Sequence, residues 1–266
     1  MQYSHALACL FAASLFIQGC NGKSDSTIVE VSLPEEKAPI GEHNLPIPDN
    51  SAVSDFRILL YGNSHIARQN ELISTLLRSA NPNITVYGES FGGGYLSDNL
   101  QNPTAVATLE ENDWTHVILQ GQKYSQSGSV EYSTAAAKTW IAKAKTQGIT
   151  PILFPEHPQK GSTTEGQQVH DLHLAITQQQ TSCLAPVGLV WDHVIKQQPD
   201  LNLHAADGNH ANETGSLLTA MIFYETITGQ PAELLPYIPD SFVSQDLQYQ
   251  LAKWVTWILA THPPCS

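Results

Sequence analysis

Five short runs, apolar on both faces, alternate with segments long enough to be helices, and that arrangement leaves few folds open. The runs fall at 57–61, 84–88, 115–120, 150–154 and 186–190. Between them, segments of helical period occupy 65–80, 130–147 and 165–181, and two more follow the last run at 212–228 and 242–260. Strands without a polar face must be covered on both sides, and intervening helices supply that cover. The chain therefore predicts an α/β fold, a three-layer α/β/α sandwich around a mainly parallel five-stranded sheet. Right-handed crossovers bring the C-terminal ends of all such strands to one edge, where ligands bind. The segments at 62–65, 89–95, 120–126 and 155–161 are expected to converge there, joined by the loop at 204–211.

Ser64, in "YGNSHI" at 61–66, follows the first run and precedes a predicted helix. Its hydroxyl would then stand at a helix N-terminus, where N–H groups and the helix dipole favour negative charge. A simple helix cap formed by Asn63 or Ser64 accounts for the same residues. "HAADGNHANETG" at 204–215 sets Asp207 three residues before His210. In that turn a carboxylate can hold one imidazole nitrogen and leave the other facing a serine. Taken singly, Asp207 reads as an Asx turn and His210 as a helix-entry residue. "SFGGGYLSDNL" at 90–100 supplies glycines whose backbone can approach a substrate oxygen. "VILQGQKYSQ" at 117–126 ends a strand with two amide donors, Gln120 and Gln122.

Together these blocks resemble those of the SGNH (GDSL-type) hydrolases, from about Phe56 to Pro231 and in the family's order. "ILLYGNSHI" is similar to the first block, with Gly-Asn-Ser where Gly-Asp-Ser is usual. "GGGYL" is similar to the second and "DGNHANETGSLLTAMIFYETITGQ" to the last. "WTHVILQGQ" is similar to the third but lacks the family's Asn, and is nearer the Gln-Gly-Glu version of some carbohydrate acetylesterases. The resemblance implies a flavodoxin-like fold and a serine esterase with Ser64, Asp207 and His210 as its triad. It implies an oxyanion hole formed by Ser64, Gly93 and Gln120, with Gln122 in reserve, and no cofactor. The substrate it implies is a short acyl ester, acetyl in the first instance, on a carbohydrate. A lipase, thioesterase or lysophospholipase of the same fold is the alternative within the class. A non-catalytic glycan-binding lipoprotein is the alternative outside it.

The ends of the chain speak to location. Residues 6–17 form an uncharged apolar run too short to span a bilayer, and Ile17-Gln18-Gly19-Cys20 resembles a bacterial lipobox. Residues 1–19 thus read as a lipoprotein-type signal peptide and Cys20 as the lipidated residue, with cleavage of a soluble exported protein as the other reading. The expected address is the bacterial cell envelope, with the lipid anchor as the membrane contact. Residues 20–52, poor in aromatic side chains, read as a flexible linker, and 53–266 as the folded domain. Cys183 and Cys265 are then either one disulfide or two buried thiols. The net charge of −13, from 25 acidic and 12 basic residues, argues against nucleic acid and against strongly anionic substrates. No metal site is expected: His170 and His173 lie one helical turn apart but lack a third ligand nearby. His65 is expected as a pocket wall and Glu156 and His157 as a Pro-bounded turn that can line the cleft. The oligomeric state stays open.

Overall fold

The structure, a computed structural model, describes residues 44–111 and 113–265. The expected signal peptide, Cys20 and the linker up to residue 43 lie outside the described residues. The sheet is built from β1 (Asp55–Gly62), β2 (Thr85–Gly92), β3 (His116–Leu119), β4 (Thr150–Leu153) and β5 (Cys183–Leu184). Their order is β2-β1-β3-β4-β5, and every pairing is parallel.

Alternation along the strands divides the core in two. Ile58, Leu60, Ile118 and Ile152 face one layer, with α1 (Gln69–Ala80), α6 (Val187–Gln197), α7 (Glu213–Thr228) and α8 (Gln245–Thr261). Leu59, Tyr61, Val117 and Leu153 face the other, with α2 (Leu96–Leu100), α3 (Pro103–Glu110), α4 (Ala135–Thr146) and Ile176 of α5 (Glu165–Gln179). Each fully buried aliphatic side chain in these layers contributes about 1.5–3 kcal/mol, the main return against chain entropy. The three-layer α/β/α reading therefore holds.

The structure corrects several boundaries. The run at 186–190 is not a strand: β5 ends at Leu184, and Val187, Val190, Trp191 and Val194 form the buried stripe of α6. Spacings of three and four define that stripe, but a five-residue window cannot distinguish it from a strand. The helix expected from 65 starts at Gln69, after a 3-10 turn at Ser64–Ile66 and a left-handed Arg68 (φ 65°). Ser64 thus opens a single tight turn, and an α-helix N-terminus is not what surrounds it.

Residues expected to be linker also belong to the domain. The Asn50 side chain donates to the carbonyls of Thr115 and Gly148 at 3.0 Å each, and Pro48 accepts from the Thr150 hydroxyl at 2.6 Å. At the other terminus, Cys183 and Cys265 form a disulfide, and Leu184 N–H donates to Pro264 at 2.7 Å. The tail is thereby fastened to the outermost strand. No helix among the described residues is long and apolar enough to cross a membrane.

Candidate active site

β1 delivers Gly62, Asn63 and Ser64 to the C-terminal edge of the sheet. Asn63 is extended, and its side chain accepts from the N–H of His65 at 2.9 Å, capping the 3-10 turn and leaving the Ser64 side chain exposed. Ser64 Oγ lies 2.7 Å from His210 Nε2, across 146 residues of chain. His210 Nδ1 lies 2.5 Å from Asp207 Oδ2. The other carboxylate oxygen, Oδ1, accepts from the backbone N–H groups of Asn209 at 2.9 Å and His210 at 3.0 Å. The hydrogen bond from the His210 side chain, followed by these two backbone bonds, holds Asp207 well below the usual carboxylate range. Asp207 is therefore an acceptor, so the ring proton belongs on Nδ1 and Nε2 carries the lone pair toward Ser64.

The loop carrying this pair is fixed from two sides. From within, Ala205 N–H donates to His210 at 2.7 Å and Asn212 N–H to Leu203 at 2.9 Å, while the Asn212 side chain caps α7 through Gly215 N–H. From without, the loop after β4 grips it. Lys160 N–H donates to Gly208 at 2.8 Å, His157 Nε2 meets the Asn209 carbonyl at 2.9 Å, and His204 Nε2 meets Pro158 at 2.8 Å. His157 stacks on Trp191 at 3.9 Å between centroids, and burial pushes its pKa down to about 3. It is a neutral strut, a role its Pro-bounded sequence context does not announce.

The three amide-bearing candidates separate clearly. Gln120 is 1% exposed; its Oε1 accepts from Asn63 N–H at 2.7 Å and its Nε2 donates to Glu156 Oε2 at 2.9 Å. Gly62 makes room for it, since a Cβ there would stand 2.3 Å from Oε1. Gln122 instead spends both amide hydrogens on backbone carbonyls, Lys123 at 3.1 Å and Ser133 at 2.9 Å, and braces the following loop. The N–H of Gly93 continues the β ladder, donating to Gly62 at 3.3 Å. Parallel pairing past Gly92 turns the Gly93 N–H, expected to face a substrate oxygen, toward β1, where this long bond occupies it.

His65, expected as a pocket wall, is packed beside His210 with its side chain 6% exposed and is not among the residues that line the cleft beyond Asn63. Its ring stacks on His210 at 5.0 Å and its Nε2 lies 3.5 Å from Glu156 Oε2. Burial lowers its pKa, with Glu156 opposing in part. Beyond Asn63 opens a cleft of about 550 Å³, lined by Tyr95, Gln120, Tyr124, Gln126, Tyr132 and Glu156 among others. Lys123 Nζ sits over the rings of Tyr132, at 4.9 Å, and Tyr95, at 5.4 Å. Tyr124 and Glu165 were missed from sequence; Tyr124 stands five residues past the end of β3, inside the 120–126 segment expected at this edge, and that position is the signal that could have drawn attention to it. His173 Nδ1 meets its own helix at Val169 O, 2.7 Å away. Among the described residues no cluster of three metal-ligating side chains occurs.

No protein-family model and no curated protein matches the sequence. Solved structures do. A DUF4886 family protein from Bacteroides uniformis superposes with a TM-score of 0.63 at 12% identity, covering 80% of this chain and 97% of that one. A protein from Slackia heliotrinireducens described as an SGNH hydrolase superposes with a TM-score of 0.50 at 21% identity, covering 64% and 98%. The chain has the SGNH-hydrolase fold. A mutant of an acetylxylan esterase from Geobacillus stearothermophilus superposes with a TM-score of 0.49 at 13% identity, covering 68% and 94%. Within this SGNH-type fold, Ser64, Gln120, Glu156 and His210 come from four separate segments that the sheet edge gathers together.

Proposed function

We propose that this protein is a serine esterase of the SGNH type that hydrolyses short acyl esters, acetyl first among them, on a carbohydrate. The observation that carries the proposal is the unbroken chain from Ser64 Oγ to His210 Nε2 at 2.7 Å and from His210 Nδ1 to Asp207 at 2.5 Å. In this reading His210 takes the Ser64 proton as Oγ attacks the ester carbonyl, and Asp207 stabilises the imidazolium. The oxyanion is received by Ser64 N–H and a Gln120 Nε2 hydrogen, with Gly93 N–H exchanging its long bond to Gly62 for the substrate. The imidazolium protonates the departing alcohol. Water, deprotonated by His210, then releases the acid and restores Ser64.

The lining of the cleft supports a sugar in preference to a fatty chain. Ser125 and Ser127 present hydroxyl groups and Gln126 an amide oxygen, and the rings of Tyr95 and Tyr132 flank the Lys123 ammonium at a polar wall suited to sugar hydroxyls. A lipase or lysophospholipase would need a broad apolar groove at this place. Cell-envelope anchoring through Cys20 belongs to the same proposal and is tested by metabolic labelling with a palmitate analogue, which Cys20→Ala must abolish.

The activity test is a fluorophosphonate probe combined with p-nitrophenyl esters. Labelling of the wild type, its loss in Ser64→Ala, and faster turnover of acetate than octanoate are expected. A folded wild type that takes no label would overturn the esterase in favour of a glycan-binding module. Preference for octanoate would overturn the short acyl group.

A further inference from the structure

A primary amide can turn over about its last torsion, exchanging donor for acceptor, and an acceptor facing an oxyanion would repel it. Gln120 is held against that by two neighbours of opposite kind. Asn63 N–H can only donate, and it meets Oε1 at 2.7 Å. The Glu156 carboxylate accepts, and it meets Nε2 at 2.9 Å. Reversal would set donor against donor and oxygen against carboxylate. With Nε2 so held, none of the described protein groups takes its second hydrogen, and Gln120 lines the cleft.

Glu156 is in turn anchored. Tyr124 OH donates to its Oε1 at 2.5 Å and also lies 3.2 Å from Glu165 Oε1. Glu165, itself 4% exposed, accepts from Gln126 Nε2 and from Gln159 N–H, each at 2.8 Å. Burial and both carboxylates push the Tyr124 phenol up, which keeps it a donor. On its other side Glu156 Oε2 lies 3.5 Å from His65 Nε2, whose ring stacks on His210.

We propose that Glu156 is a positioning residue: anchored by Tyr124, its carboxylate locks the Gln120 amide with nitrogen toward the reacting oxygen. The inference rests on the esterase reading. Glu156 acts through Gln120, and Glu165 acts one step behind through Tyr124.

The test compares Glu156→Ala, Glu156→Gln, Gln120→Ala and the Glu156→Ala/Gln120→Ala pair, with p-nitrophenyl acetate kinetics and amide NMR. Glu156→Ala is expected to lower kcat about 10- to 100-fold with KM within about twofold, as loss of a group orienting a catalytic side chain does. Glu156→Gln keeps an oxygen for Gln120 Nε2 and restores most of kcat. The double variant should be no slower than Gln120→Ala alone, because both act on one donor. Independent of turnover, the Gln120 side-chain amide protons, assigned by their loss in Gln120→Ala, should shift and exchange faster in Glu156→Ala. Multiplying effects in the double variant, a rise in KM at constant kcat, or Gln120 amide signals unchanged in Glu156→Ala would each overturn the proposal. A wild type inert toward esters overturns the esterase reading instead, and the amide signals then decide the positioning by themselves.

Discussion

Two glutamines two positions apart end the same strand, and nothing in their local sequence ranks them. Their partners do: both are buried, but Gln120 joins Asn63 to Glu156, whereas Gln122 is consumed by the Lys123 and Ser133 carbonyls. Gln120→Ala is accordingly expected to lower kcat about 10²- to 10³-fold with little change in fold, as removal of an oxyanion donor does. Gln122→Ala removes the donor to two carbonyls on exposed residues, Lys123 and Ser133, and should instead cost stability, about 0.5–1.5 kcal/mol per bond, with kcat nearly preserved. Steady-state kinetics beside urea denaturation of both variants separates the two roles. The reverse pattern would exchange their assignments. The imidazole residues divide in the same way: His65, His157 and His204 surround His210, yet each is committed to packing or to a carbonyl.

At the scale of elements, the first turn of α7 sets where His210 stands. Gly215 lets that turn press against the chain before the loop: a Cβ there would lie 2.3 Å from the Leu203 carbonyl oxygen and 2.5 Å from the Trp191 ring. Neither group can retreat easily, because Leu203 also accepts from Asn212 N–H and Trp191 is fully buried. Gly215→Ala should therefore cost about 1–3 kcal/mol of stability by overpacking and lower kcat as the His210 loop shifts. Glu213→Ala, two residues away and exposed, should stay within about 0.5 kcal/mol of wild type. Thermal melts and turnover of the two variants check this, and a Gly215→Ala protein matching wild type in both would refute it.

At the scale of the whole molecule, buried histidines make the fold acid-sensitive. Burial lowers His116 and His157 to about 3 and His173 to about 4. Unfolding returns each to about 6.5, so between these values the unfolded chain binds more protons and stability falls as pH falls. Each histidine contributes at most about 1.4 kcal/mol per pH unit below about 6.5. Asp192, raised by burial and by Glu165 to about 6, and Glu225, raised by burial, work in the opposite direction, but burial also lowers His65, His170 and His193, so the histidines outnumber them. The urea midpoint should drop between pH 7 and pH 4.5, and a flat or rising midpoint would contradict this. The disulfide acts at the same scale: Cys183 and Cys265 are 82 residues apart, so Cys183→Ser/Cys265→Ser should lose roughly 2–5 kcal/mol. Guanidinium unfolding of the double variant, compared with reduced wild type, measures it.

Much of this molecule was legible in one dimension because its determinants are local. Alternation along Ile58, Leu59, Leu60 and Tyr61 sorts side chains to two faces, and helical spacing marks α1, α5, α7 and α8, so periodicity alone led to the layered α/β class. Ser64, Asp207 and His210 drew attention because each sits where a turn meets a regular element. The 186–190 run failed because five apolar residues satisfy both periods. Which amide faces the cleft, whether Gly93 N–H is free, and how Glu156, Tyr124 and Glu165 join the site were decided only by tertiary structure. These depend on distances between segments 30 to 150 residues apart, set by strand register and by the packing of loops after β1, β3 and β4. No local pattern carries a register, and a hydrogen bond is made or lost within half an ångström of it.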